Sequence, residues 1–505
     1  LTISGSKRAG PGKSRVRRDG EQAALPHASG ADALAALAPL LSCPSCRHDV
    51  GFAVRTEHLI CTRCKTAYPI YKNGAARIPW LFRDPEAVRL EWRARYNGFL
   101  HASGAEQTRL HKAVSESRRG MAAARLAHVA QARDAQRKQI VDVLGPLKLG
   151  AARAEPTLDR AGVLHAKLPK RHGLTSYYDH LFRDWSWENG ENDSLAECVR
   201  RVLQKRPAFE AGKLLTLGAG AARLSYDLHR RYAPELSVAL DWNPLLTFVA
   251  SRVIHGDKIA LHEFPIAPLD KASFAVARTC VAPEPLPASG GGFAFVLADA
   301  LDAPFKAASF DTVLTPWLVD IVPQSFTDCV RAVNRLLTKG GTWVNTGSLA
   351  FFHRDASWCV SQEEAVEIVA ANGFDVVATE RAAVPYLQSP ASAHGRIERV
   401  FSLLAVKTAD AEPPERVEYL PPWLLDAERP VPDLDEFVVA SAHRLLQAQI
   451  LAAVDGRRSI EEIAQLVAKR YQLQPAEAHG AVRRVLLELY ESALTDQPDP
   501  GAPLE

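Results

Sequence analysis

No stretch of this 505-residue chain approaches the roughly twenty consecutive apolar residues that a helix needs to cross a bilayer, so no segment reads as a membrane helix. Charge of one sign is missing too. Lysine plus arginine number 61 against 58 acids, a net of +3, and nothing global marks a nucleic-acid or membrane-surface binder. Of the eight cysteines, Cys198, Cys280, Cys329 and Cys359 stand at positions with no framework spacing. With no secretory leader read ahead of the first domain, the expectation is a reducing, cytoplasmic setting rather than a disulfide scaffold. A phosphate loop is also absent. The run Gly218-Ala219-Gly220-Ala221-Ala222-Arg223-Leu224 has no third glycine, and no Gly-Lys-Ser/Thr follows it.

What that run does have is its setting. Leu214 to Leu217 is an apolar strand leading into Gly218 and Gly220, and a helix follows. Glycine lets the backbone turn sharply and approach a ligand closely, and a helix start offers free N–H groups. Asp241 closes the next strand, where an acid can hold a ribose diol. By itself a bare G-x-G also fits an ordinary strand-to-helix turn. Downstream come a third strand ending in Asp299-Ala300, then Ala303-Pro304-Phe305, a fourth strand from Ser309, a helix from Phe326 to Leu337, and a Lys339-Gly340-Gly341 turn before the strand Thr342 to Asn345. The expected core is a doubly wound, Rossmann-like α/β sheet that binds a nucleoside cofactor.

Across about residues 170 to 407 this order resembles class I S-adenosylmethionine-dependent methyltransferases. The resemblance implies that Gly218 and Gly220 face the methionine end of S-adenosylmethionine, that Asp241 holds its ribose and that Asp299 contacts its adenine, with Asp302 as the alternative. It adds Arg223, Ala300, Arg183 and Trp185 to the cofactor-binding set. The segment from Tyr177 to Glu188, containing Arg183-Asp184-Trp185-Ser186, is similar to the carnosine N-methyltransferase family. So are Thr315-Pro316-Trp317-Leu318-Val319-Asp320, the run Trp343 to Leu349, and Ser361-Gln362-Glu363-Glu364. That family methylates an imidazole nitrogen of a histidine-containing dipeptide. The resemblance puts Asp320 opposite the imidazole and, with slight slack in register, His353 beside it as catalytic residues. Asp320 could instead cap the helix that begins near Ser325, although Pro323 and Ser325 are better placed for that. One stretch departs from the family. Where a tyrosine-rich segment is expected, this chain reads His394-Gly395-Arg396-Ile397-Glu398, which bears on whether carnosine itself is the acceptor.

Ahead of this domain, Cys43-Pro44-Ser45-Cys46 and Cys61-Thr62-Arg63-Cys64 form two C-x-x-C knuckles with fourteen residues between them. Four thiolates at that spacing predict a closed, structural zinc site. With Tyr68-Pro69-Ile70 and Ile78-Pro79-Trp80-Leu81, the module resembles the zinc-ribbon activators of tRNA and release-factor methyltransferases.

The organisation read from the sequence is a disordered basic tail (1–35), the ribbon (36–83), a helical linker region (84–169), the methyltransferase domain (170–407), a proline-rich linker (408–433) and a compact helical tail (434–496). In the tail, Asp455-Gly456 and the capping box opened by Ser459 resemble PqqD-like winged-helix domains, some of which bind peptides. The function expected is N-methylation of an imidazole-type nitrogen in a small molecule or peptide, with a peptide or protein partner conceivable at the tail and no membrane. An RNA-modifying methyltransferase and a non-catalytic scaffold are the alternatives. The first of these is motivated by the ribbon and by the basic arm of Lys7, Arg8, Lys13, Arg15, Arg17 and Arg18; in the helical tail the basic residues are interleaved with acids, which argues against a DNA-reading winged helix.

Overall fold

The structure, a computed structural model, describes residues 33–49, 51–117, 120–150, 173–287, 292–351, 356–414, 423 and 428–495. The strands alternate along their length between two apolar layers. Leu214, Leu314, Val344 and Leu404 point to one face of the main sheet, and Leu215, Val313, Trp343 and Leu403 point to the other. Strands buried on both faces read as continuous apolar runs, and here helices cover both sides.

The main sheet has seven strands. In chain order they are β5 (Lys213–Leu217), β6 (Leu236–Asp241), β9 (Phe293–Leu297), β10 (Phe310–Pro316), β11 (Leu337–Gly347), β12 (Phe374–Tyr386) and β13 (Arg396–Lys407). Their spatial order is β12-β13-β11-β10-β5-β6-β9. The five strands from β11 across to β9 are parallel, whereas β13 runs antiparallel to both its neighbours. The chain order reverses at β5 and β10, so the crevice beyond their C-terminal ends is where an open α/β sheet receives a ligand. Lys339-Gly340-Gly341, expected as a turn before a separate strand, belongs to β11 as a bulge: the register with β10 jumps from Phe310↔Leu337 to Thr312↔Thr342.

Two insertions shape the crevice. Between α7 (Pro244–Ile254) and β9 lies a hairpin of β7 (Ile259–Glu263) and β8 (Val276–Cys280). The helical linker region folds as α2 (Pro85–Glu116) and α3 (Met121–Leu144). Asp84 caps α2 by accepting from the Ala87 N–H at 2.9 Å, and Pro85 occupies the first turn, where its missing N–H costs nothing. These helices do more than link. Trp92 of α2 is buried 5.1 Å from Trp242, and Arg95, paired with Glu91, sits over both rings. Farther along, α3 packs on α7 and β7, and its Gln139 meets His262.

The ribbon is a four-stranded antiparallel sheet of β1 (Phe52–Val54), β2 (His58–Cys61), β3 (Ala67–Asn73) and β4 (Ala76–Pro79). It docks on the open edge of β9. Trp80 forms a parallel bridge with Leu297, and the Leu81 N–H donates to Leu297 O at 2.7 Å. Ser42 N donates to Pro304 O, and Lys306 N donates to Leu40 O. An exposed strand edge is thereby closed by the chain itself.

At the C-terminus, α10 (Asp435–Ala452), α11 (Ile460–Tyr471) and α12 (Pro475–Thr495) pack around Ile450, Ile463, Val467 and Val482. The Ser459–Glu462 capping box is present as predicted. Among the described residues of this unit there is no strand to make a wing, so the unit is helical only. The basic tail lies outside the described residues.

Candidate functional site

The loop after β5 is fixed from three directions. Gly218 and Gly220 adopt left-handed φ values of 66° and 57°, and Ala222 follows at 62°. A Cβ on Gly218 would come 2.8 Å from Leu318 Cδ1, whereas one on Gly220 would meet nothing within 4 Å. Packing is therefore tight at the first glycine, and the second borders open space. From below, the Ala219 N–H donates to Leu240 O. From the side, Asp241 accepts the Gly220 N–H on Oδ2 at 2.7 Å and the Asn243 N–H on Oδ1 at 2.8 Å. From behind, the Trp185 indole N–H donates to Ala221 O at 2.9 Å.

Asp241 is buried at the end of β6, and burial pushes its carboxyl up while the N–H groups of Asn243, Gly220 and Trp242 oppose the rise. Asp299 follows β9 and accepts the Leu301 N–H at 2.9 Å; Ala300 is next to it and half-buried. Asp302 is held by Arg47 of the ribbon at 2.8 Å. A deep acid, an open glycine loop and a second acid one strand away fit a nucleoside. Arg223 and Trp185 are placed behind the loop rather than in front of it. Arg223 reaches Asp227 and Asp184 O, and Trp185 is spent on Ala221. They position the loop. Arg183 is buried nearer the cleft, with its Nε 2.6 Å from Asp184. Burial works against its charge, but Asp184, Tyr386 and Glu191 outweigh burial and hold its pKa up.

Asp320 lies beyond β10, 6% exposed. Its Oδ2 accepts from Ser348 Oγ at 2.5 Å and from the Ala350 N–H at 3.1 Å, both from the chain just past β11. Burial raises its pKa, against the pull of those two donors. It caps no helix: Ser325 is the cap of α8 (Phe326–Leu336), accepting the Asp328 N–H. His353 lies outside the described residues.

Around Asp320 the structure gathers residues that sequence reasoning left unassigned. Tyr177 is half-buried, and burial, with the charges of Tyr386, Asp241 and Asp320, pushes its hydroxyl pKa up. His180 packs on Tyr177 at 5.2 Å, and its Nε2 is 3.3 Å from the Tyr386 hydroxyl. Burial, together with the charges of Arg183 and Arg396, keeps its pKa well below the ordinary value, so the ring is neutral. Trp317 meets Tyr386 at 4.8 Å. Both Tyr177 and Trp317 hold left-handed φ values, 64° and 51°. For bulky side chains that is strain, which persists where the surroundings impose it and collects at functional sites. The aromatic density of 177–187 was visible in the sequence; its meeting with Trp317 and Tyr386, over a hundred residues away, was not. The segment 261–265 is a brace. Glu263, almost fully buried, accepts from Trp187, Arg278 and Ser389 and ties three segments together.

In the ribbon, Cys43, Cys46, Cys61 and Cys64 bring their sulfurs within 4.8 Å of one another. Cys43–Cys64 and Cys46–Cys61 are 3.6 and 3.8 Å apart. A tetrahedron with Zn–S bonds of about 2.3 Å has edges of about 3.8 Å, so the donor set fits a zinc ion and is far too open for disulfides. The Tyr68 hydroxyl, 3.1 Å from Cys43 Sγ, supplies an outer contact.

Residues 163–397 match the family model for carnosine N-methyltransferase, and residues 35–73 match the model for Trm112p-like protein. A carnosine N-methyltransferase of Dictyostelium discoideum is 23% identical over 223 residues, covering 40% of this chain and 48% of that protein. The chain therefore spans about half the length of that curated relative. Among solved structures, a complex containing the Haloferax volcanii Trm112 methyltransferase activator aligns at TM-score 0.31 and 15% identity, over 47% of this chain and 98% of that one. A SAM-dependent methyltransferase from Thermotoga maritima, described as a possible histamine N-methyltransferase, aligns at 0.27 and 14%, over 47% and 98%. No helix among the described residues is long and apolar enough to cross a membrane. Residues 163–397 are thus similar to carnosine N-methyltransferases, and the stretch ahead of them is similar to Trm112p-like proteins.

Proposed function

We propose that the chain is an S-adenosylmethionine-dependent N-methyltransferase whose acceptor is an imidazole-type nitrogen in a small molecule or peptide. The observation that carries this reading is Asp320: a buried carboxylate, fixed through one oxygen by Ser348 and Ala350, on the same crevice as the glycine loop. Leu318, two residues before it, touches Gly218, so the loop and the acid are set against each other by direct packing.

When bound, the sulfonium nucleoside supplies an electrophilic methyl group. Gly218, Gly220, Asp241 and Asp299 would hold it, with Arg183 on the methionine side. The rest falls to this chain's own side chains. A neutral imidazole attacks through its bare nitrogen, and its other ring nitrogen carries a proton. Asp320, ionised, accepts that N–H; this selects the tautomer and stabilises the positive charge that the ring gains. Tyr177, Trp317 and Tyr386 wall the site with rings, which exclude water and favour a cationic product over their faces. Positioning supplies the remainder, because an in-line displacement needs alignment more than acid or base strength. His353 is proposed to add a second contact to the acceptor.

Asp320→Ala tests this reading. The variant keeps S-adenosylmethionine binding and loses turnover. Equal loss of both would mean that Asp320 only supports the fold.

A further inference from the structure

The helices α2 and α3 lie in neither matched stretch, 35–73 or 163–397, yet α2 buries a charge that a spacer does not need. Arg95 and Glu91 form an ion pair of 2.5 Å with side chains only 4% and 5% exposed. Taking two charges out of water is expensive, and an apolar pair of similar volume would pack the helix more cheaply. The Nε and Nη1 atoms of Arg95 are also buried with no hydrogen-bond partner among the described residues. Packing alone does not account for a guanidinium kept in this state.

What the guanidinium has instead is rings. Its carbon stands 5.0 Å from the Trp92 ring centre and 5.1 Å from that of Trp242. The two rings are themselves 5.1 Å apart, tilted by 45°. Trp92 is buried, whereas Trp242 keeps part of its surface open. A desolvated cation over an indole face is the strongest form of this contact.

Trp242 leads straight to the cofactor crevice. It follows Asp241 at the turn from β6 into α7. Its N–H, like those of Gly220 and Asn243, serves the Asp241 carboxylate. Asn243 then caps α7 by accepting the Leu245 N–H at 3.0 Å. Residues 241–243 therefore set the buried acid and the glycine loop together, and the middle one is the residue that α2 grips.

Resting on the cofactor assignment above, we infer that Arg95 is a positioning residue for the nucleoside end of S-adenosylmethionine. Arg95 holds Trp242, Trp242 fixes the 241–243 turn, and the turn presents Asp241 to the ribose. The α2–α3 pair is thereby part of the cofactor site as well as the link from ribbon to sheet. The competing role is a packing brace, in which Arg95 stabilises the fold and the cofactor does not sense it.

The test is calorimetric titration of the full chain with S-adenosylmethionine, S-adenosylhomocysteine and methylthioadenosine, which lacks the amino-acid end, alongside thermal melting. Arg95→Met, which keeps the bulk and removes the charge, weakens all three by a common factor of about five to thirty, the strength of a desolvated cation–ring contact. Arg95→Lys loses less, because the ammonium keeps a charge over the rings. Trp242→Phe weakens the same ligands, and adding Arg95→Met to it costs little more, since the two act as one unit. Should Arg95→Met fail to fold, Trp92→Phe in the same cycle with Trp242→Phe reads the same stack. A lowered Tm with wild-type affinities overturns the inference, and so do losses that simply add across the cycle. Weakened S-adenosylmethionine with unchanged methylthioadenosine also overturns it, since the effect then lies at the amino-acid end. If the wild type binds none of the three nucleosides, the cofactor assignment itself falls and this inference with it.

Discussion

The two glycines of the β5 loop should fail differently when given a methyl group. Both have positive φ, so alanine at either one pays the left-handed penalty of about 1–2 kcal/mol. For a domain of this size that corresponds to a fall in Tm of roughly 2–8 °C. The surroundings then separate them. At Gly218 the new methyl would press on Leu318 Cδ1 at 2.8 Å, the movable end of a side chain, so Leu318 shifts and the cost is mostly one of stability. At Gly220 nothing lies within 4 Å, and the methyl projects into the space the cofactor would fill. Overpacking of about 1–3 kcal/mol there should weaken S-adenosylmethionine binding by roughly 5- to 150-fold. Thermal melting and calorimetric titration of both variants read the two effects separately. Wild-type affinity in Gly220→Ala would refute the placement of the cofactor at this loop.

Asp179, beside Glu263 and facing Arg133, is pushed by burial up to about 6 from an ordinary 3.8. The folded chain therefore holds a proton there that the unfolded chain has released, so this site's contribution is full below about 3.8 and is lost as pH rises to about 6. Asp179→Asn should flatten the difference in urea midpoint between pH 4.5 and 7; an unchanged slope contradicts the burial argument. Asp320 must be ionised to act, and its pKa is raised by burial, so kcat should begin to fall with acidification at a higher pH than an ordinary aspartate would give. Ser325→Ala should cost about 1 kcal/mol of stability through the lost cap of α8 and leave turnover unaltered. Chelation should raise hydrogen exchange across residues 33–82 before the main sheet responds, because four thiolates build that module; unaltered exchange would mean that the ribbon stands without metal.

Local chemistry was legible in the sequence and long-range assembly was not. The Gly218–Gly220 loop, the acids ending β6 and following β9, the Cys43–Cys64 ribbon and the Ser459 capping box all write their geometry into a few adjacent residues. The docking of Trp80 and Leu81 on the edge of β9 does not, since it depends on backbone groups of two strands far apart in the chain. The same holds for the aromatic wall, where Tyr177, Trp317 and Tyr386 arrive from three separate elements. Residues 84–147 illustrate a third limit. Helical periodicity was evident, but it cannot say that Trp92 and Arg95 would close over Trp242, next to Asp241. Arg223 and Trp185, which the family resemblance implies at the ligand, are engaged here with Asp227, Asp184 O and Ala221 O, contacts between distant segments that no local pattern announces.

The most direct measurement is the fate of a carbon-13 methyl group carried on S-adenosylmethionine and offered to the full chain with β-alanyl-histidine, followed by NMR. The label should appear on an imidazole nitrogen with the wild type, and should stay on the cofactor with Asp320→Ala even though that variant still binds it. Label on any other atom of the acceptor, or transfer by Asp320→Ala at the wild-type rate, would contradict the account.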